Sequence, residues 1–235
     1  MKHNEKLGNE EDVLQQSTEL LVVTLAQIVT QKDTEALSQI RSIGDMLRSA
    51  PGLVSFRYYR SRSNEAYYFL LTTWQDEDSW LHAQERHSPK QLLQAVPDLL
   101  AFQPEQWLMS YIWGYSRPVA PPTLANAHFI TVRSQHVELV QKGWLQGLHQ
   151  HSLQLSLSFA FFARTQAPSP ALLGRAKSQG IVEQPSGSTN SIFLCFLSWA
   201  SDAEREEFYA NANYQAMNKF IEGIGSTRLL PLEIF

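Results

Sequence analysis

The chain has 235 residues, 43% of them hydrophobic and 11% aromatic, enough apolar material for one large core or two small ones. Nineteen basic against twenty-three acidic side chains leave a formal charge of -4, so no broad positive field exists to draw a nucleic acid or an anionic membrane surface. A single cysteine, Cys195, excludes an intrachain disulfide and, set in an apolar run, reads as a small buried hydrophobe.

The opening stretch MKHNEKLGNEEDVLQQSTE lacks the apolar core of a signal peptide, and no run approaches the ~20 apolar residues of a bilayer crossing. A cytoplasmic protein is expected, with residues 1–17 as a polar, flexible extension. LLVVTLAQIVT (20–30) then reads as a strand covered on both faces. Leu37, Ile40, Ile43 and Leu47 follow at helical spacing behind Asp33, a candidate N-cap, and the Pro51-Gly52 pair stops that helix. LVSFRYYRSRS and AYYFLLTTW read as a hairpin; Arg57 and Arg60 fall on opposite faces of its first strand. Asp76 caps the next helix, and Ser88-Pro89 breaks and restarts it with Ser88 facing Gln91. EQWLMSYIWGY closes a β-α-β-β-α-β unit, the ferredoxin-like order, over residues 18–115.

A proline-rich linker (116–126) leads to a second copy over 127–235. AHFITVR is its first strand, Val137, Val140, Trp144 and Leu148 mark a helix face, and LQLSLSFAFFAR alternates as a strand. IFLCFLSWASDAERE repeats the pattern of YYFLLTTWQDEDSW, with Ser201 and Glu204 as a second capping box, and STRLLPLEIF ends the unit. Matching Phe56 to Phe159 gives an offset of 103 residues and Trp74 to Trp199 one of 125, so a 22-residue insertion is expected in the second hairpin, within about 165–190, as a loop or lid. One such sheet with helices on a single face leaves its other face bare. Two in tandem can cover each other, so an intramolecular pseudo-twofold α+β barrel is expected, and a homodimer of such chains is compatible with it.

APGLVSFRYYRS, the strand ending in Trp74, the acidic cap and WLHAQERHSPKQLL together resemble the antibiotic-biosynthesis-monooxygenase family of the dimeric α+β barrel superfamily. The likeness spans residues 18–115 closely and 127–235 more loosely. It implies a pocket in each unit between sheet and helices, lined by aromatics. It also implies, for some members, oxygenation of polycyclic phenols with dioxygen and no metal, flavin or other cofactor. His82 and His87 fit the family's histidine and second polar position after the tryptophan. Such chemistry needs a base near neutrality, which histidine supplies, and a dry aromatic wall. His82 and His87 are therefore the catalytic candidates, with Trp74, Tyr58, Tyr68, Trp80 and Arg57 as substrate-binding candidates. The partners expected are a small aromatic molecule and dioxygen. A non-catalytic binding or assembly protein of the same fold is the rival reading.

Metal chemistry is not expected. His82 and His87, five apart on a helix, point about 140° from each other, and the HQH of residues 149–151 would align two imidazoles only in an extended segment. Haem is a weaker alternative: related haem-degrading barrels carry an asparagine in the first strand, a tryptophan and a histidine about ten positions later. Ten positions after Trp80 stands Lys90, and Gln27 occupies the first strand.

Overall fold

The computed structural model describes residues 19–63, 65–117, 124–153, 157–166 and 190–234. The expected N-terminal extension, most of the linker and the body of the insertion lie outside these residues.

The first unit runs β1 (Leu20–Gln27), α1 (Asp33–Leu47), β2 (Leu53–Ser61), β3 (Tyr67–Trp74), α2 (Glu77–His87), α3 (Pro89–Gln94) and β4 (Glu105–Ser116). The second runs β5 (Leu124–Arg133), α4 (Val137–Leu153), β6 (Phe159–Thr165), β7 (Asn190–Trp199), α5 (Asp202–Ala210), α6 (Ala212–Glu222) and β8 (Gly225–Ile234). The strands close into one eight-stranded antiparallel barrel in the order β1-β3-β2-β8-β5-β7-β6-β4. Each unit thus contributes a four-stranded ferredoxin-like sheet, β4-β1-β3-β2 and β6-β7-β5-β8. The expected intramolecular barrel is what forms.

Three cores follow from this closure. Leu21, Val23, Leu25, Phe69, Met109, Phe161 and Phe196 fill the barrel interior, where Phe161 and Phe196 stack at 5.2 Å. Outside the barrel, β1 and β3 pack Val22, Leu70 and Trp74 against α1 and α2, and β5 and β7 pack Ile130, Phe193 and Trp199 against α4, α5 and α6. Strands covered on both sides need apolar residues at both parities, which explains the near-continuous apolar runs of β1 and β3. The same closure replaces the alternation expected of LQLSLSFAFFAR: β6 begins only at Phe159, and residues 160–163 are all buried, two facing the barrel and two facing the helices.

Caps behave locally as expected, with one exception. Asp76 accepts from the Ser79 amide at 2.7 Å, and Ser201 from the Glu204 amide, whose carboxylate returns to the Ala200 amide at 2.9 Å. Asp33 is not the N-cap of α1; Lys32 is, without a side-chain cap. The Asp33 carboxylate is taken instead by Arg60 at 2.6 Å and by the buried Tyr68 hydroxyl at 3.0 Å, a charge-assisted pair that outcompetes one backbone amide. β1 stops at Gln27, short of the expected Thr30, and Gln31 turns the chain at a φ of 76°.

The register corrects the alignment of the two copies. Phe56 pairs with Thr72, two residues before Trp74, and Ala160 pairs with Leu197, two before Trp199. Phe56 therefore matches Ala160, not Phe159, and the second hairpin is longer by 21 residues instead of 22. A one-residue slip exchanges faces. Phe56 accordingly packs on the helix side of the sheet and Phe159 on the barrel side.

Candidate active site

The structure separates the residues expected to form a site in the first unit. Trp74, Tyr68 and Trp80 are fully buried in the core between the first sheet and its helices, with Tyr58 at its edge. The Trp74 indole donates to Thr72 Oγ1 at 3.0 Å, and burial together with Asp33 pushes the Tyr68 phenol up, so that group stays protonated. Arg57 leaves this cluster: it lies on the barrel side of β2, its guanidinium 5.5 Å over the Phe159 ring. His82 is exposed, with Nδ1 2.7 Å from the Asp78 carbonyl, and two residues along α2 from Trp80 it points away from the core. His87 lies half-buried at the end of the same helix. Neither histidine lines the cavity whose walls include Arg57 and Tyr58.

The second unit holds what the first lacks. Leu20 pairs with Trp74 and Leu124 with Trp199, so Val22 and Thr24 of β1 correspond to Asn126 and His128 of β5. Both second-unit residues sit between sheet and helices, 4% and 1% exposed. Tyr209, on α5, reaches both: its hydroxyl lies 2.5 Å from Asn126 Nδ2 and 2.8 Å from His128 Nε2. Trp144 of α4 and Tyr214 of α6 close over the imidazole at ring separations of 5.6 and 6.3 Å, and Trp199 touches Tyr209 at 5.7 Å. The apolar length of β5 and the amphipathic faces of α4, α5 and α6 thus bring one amide, one imidazole, two phenols and two indoles into a single enclosure.

Its polar groups are only partly used. His128 Nδ1, Asn126 Oδ1 and the indole nitrogens of Trp144 and Trp199 are buried with no hydrogen-bond partner among the described residues. In the first unit Thr72 satisfies the matching indole of Trp74; its counterpart in the second is Leu197, which cannot. Leaving a buried donor or acceptor unpaired costs about 1–3 kcal/mol each, so a cluster of four is an arrangement a bound polar molecule would relieve. The first unit retains two such atoms, Trp80 Nε1 and Gln84 Oε1, both on α2.

Burial also sets protonation. It lowers His128 to about 3, so the ring is neutral at physiological pH. Burial raises the Tyr209 and Tyr214 phenols far above their usual value, and raises the Cys195 thiol on neighbouring β7. The Tyr209 hydroxyl either donates to or accepts from Nε2, so Nδ1 presents an N–H or a lone pair inward and can exchange a proton with a molecule bound there.

The cluster has no counterpart in the pattern that follows each tryptophan, because its histidine comes from β5, the strand paired with β7. A signal exists in ANAHFITVR: strand alternation sets Asn126 and His128 on the face of Ile130 and Val132, two polar residues at core positions.

Among the described residues no group of three or more His, Cys, Asp or Glu side chains could hold a metal ion. The HQH segment lies within α4, a helix and not the extended segment that would align two imidazoles. The enclosure offers haem no axial ligand through Nε2 of His128, which is hydrogen-bonded to the Tyr209 hydroxyl at 2.8 Å. No described helix is long and apolar enough to cross a membrane.

The fold is an eight-stranded α+β barrel made from two ferredoxin-like units, with an aromatic core packed between each sheet and its helices. Residues 20–94, spanning β1 through α3, match the family model for antibiotic biosynthesis monooxygenases. Among solved structures, an anthrone oxidase-like protein shares the fold across 93% of this chain and 92% of its own, at 9% identity and a TM-score of 0.69. A protein provisionally described as a monooxygenase from Fusobacterium nucleatum covers 92% of each chain at 7% identity and a TM-score of 0.67. Another so described, from Lactobacillus acidophilus, covers 91% and 92% at 8% identity and a TM-score of 0.59. At these identities the likeness is one of fold. No curated protein sequence matches the chain. The chain shares the fold of these proteins over most of its length, and residues 20–94 carry the sequence pattern of the family model.

Proposed function

We propose that the protein is a cofactor-independent oxygenase of planar phenols, anthrone-type or polyketide-like, and that the reaction takes place in the second unit. The observation that carries the reading is the set of unpartnered buried groups around His128. Two indole N–H groups, from Trp144 and Trp199, suit a developing phenolate or enolate, the lone pair of His128 Nδ1 suits the proton to be removed, and Asn126 Oδ1 suits a substrate hydroxyl. Indole and phenol rings suit a flat, apolar ring system and keep water away from the carbanion. The name of the anthrone oxidase-like neighbour points to the same substrate class.

The chemistry divides simply. His128 takes the substrate proton at Nδ1; because burial makes it a weak base, the proton moves only when the anion stays beside the imidazolium. The electron-rich anion then reduces dioxygen. One oxygen atom forms the new carbonyl, and the other leaves as water with two hydrogens from the substrate, so an anthrone becomes an anthraquinone.

The test is aerobic turnover of anthrone followed by quinone absorbance. Wild type and His82→Ala should convert it at rates within about twofold of each other, while His128→Gln and Tyr209→Phe should lose most activity, on the order of the 10²-fold or more that a positioned general base contributes. Turnover that survives His128→Gln removes the second unit from the mechanism, and its loss in His82→Ala returns the chemistry to the first.

A further inference from the structure

The two seams that join the units are unequal, although a twofold barrel would make them alike. At one, β4 and β6 pair from Met109–Thr165 to Ser116–Phe159, through seven residue pairs. At the other, β2 meets β8 only over Tyr59–Ser61, through three. Residues 53–58 of β2 therefore have no ladder partner on that side among the described residues, and the barrel wall opens there into a cavity of about 800 Å3. That volume lies within the usual range for small-molecule sites.

Both faces of β2 contribute to this cavity, so it has two kinds of wall. Phe56 and Tyr58 come from the helix side, and Phe159 and Phe196 of the second unit come from the barrel interior. Gly44 of α1 forms part of the wall, and any side chain there would meet the Phe56 ring, since a Cβ would lie 2.6 Å from Cε1. The charge is one-sided. Arg41, Arg48 and Arg57 line the space against a single carboxylate, Asp45, which already holds Arg48 at 2.9 Å. Arg41 and Arg48 are seven residues apart and so share one face of α1, two turns from each other. Arg57 lines the cavity with its guanidinium held 5.5 Å over the Phe159 ring.

We propose that this open seam binds a planar aromatic anion, a carboxylate or sulfonate on two or three fused rings, with the rings between the aromatic walls and the anion on the guanidinium groups. Arginine suits such a ligand because its flat cation both stacks on rings and pairs with an oxyanion. The site uses none of the residues around His128, and so stands or falls independently of the oxygenase reading.

The test is calorimetric titration of the full chain with 2-naphthoate and with its neutral counterpart 2-naphthalenemethanol. The acid should bind one per chain, at least tenfold tighter than the alcohol, and weaken as salt is raised. Arg57→Ala and the Arg41→Ala/Arg48→Ala pair should each weaken it fivefold or more, with Arg57→Lys falling between, and His128→Gln should bind as wild type does. All the changed arginines are at the surface, and circular dichroism verifies that each variant is folded. Absence of saturable naphthoate binding, equal affinity for acid and alcohol, or unchanged affinity in both arginine variants overturns the proposal.

Discussion

Changing His128 to Gln should alter how stability depends on pH, by an amount that follows from its burial. The imidazole is 1% exposed and held neutral, its folded value lowered from 6.5 to about 3. In the unfolded chain it returns to the ordinary value and takes up a proton as pH falls. Above about pH 6.5 the ring is neutral in both states and nothing is lost. Between there and about pH 3 only the unfolded state gains a proton, so stability falls with pH, at about 1.4 kcal/mol per unit. At pH 5 this amounts to about 2 kcal/mol relative to pH 7.5, and the figure depends little on the folded value, which lies well below 5. Gln can still bond the Tyr209 hydroxyl but does not titrate. Urea unfolding of wild type and variant at both pH values separates this effect from the carboxylates, which the two proteins share. Wild type should lose about 2 kcal/mol more than the variant on acidification; identical losses would mean that His128 is solvated or charged in the folded protein, and the account of the enclosure would fail.

Two further outcomes follow from the same packing. Gly225→Ala should destabilise the protein by about 1–3 kcal/mol, because the added Cβ would sit 2.4 Å from the Thr131 carbonyl on the neighbouring strand, where the backbone cannot give way easily; its midpoint in urea checks this. Cys195 should resist Ellman's reagent in the native state and react fully only on unfolding, since it is wholly buried and burial keeps its thiol protonated.

Much of the fold could be read directly because its signals are local. The repeated passage of an apolar strand into tryptophan and an acidic cap marks the same junction in both units, and Asp76 and Ser201 cap helices there as their spacing implies. Closure of the barrel followed from the bare sheet face each unit would otherwise expose. What failed to show locally depends on partners far along the chain. Asp33 looks like a cap until Arg60 and Tyr68, 27 and 35 residues on, claim its carboxylate. Phe56 and Phe159 look equivalent until strand pairing sets them on opposite faces. His128 and Tyr209 are 81 residues apart and meet only because β5 lies beside β7, from which α5 departs. The histidines of α2 follow a tryptophan in the chain, yet helix periodicity turns His82 to solvent.

The most direct measurement gives the second unit the first unit's side chains at matched positions, Asn126→Val with His128→Thr, and follows dioxygen consumption with anthrone at an oxygen electrode. The replacements remove buried polar groups that lack full partners but also strip the Tyr209 hydroxyl of both of its own, so a circular dichroism spectrum matching wild type is required of the double variant. Uptake falling to the rate of buffer alone is the predicted result. Consumption at the wild-type rate by the folded double variant would contradict the assignment of the reaction to this enclosure.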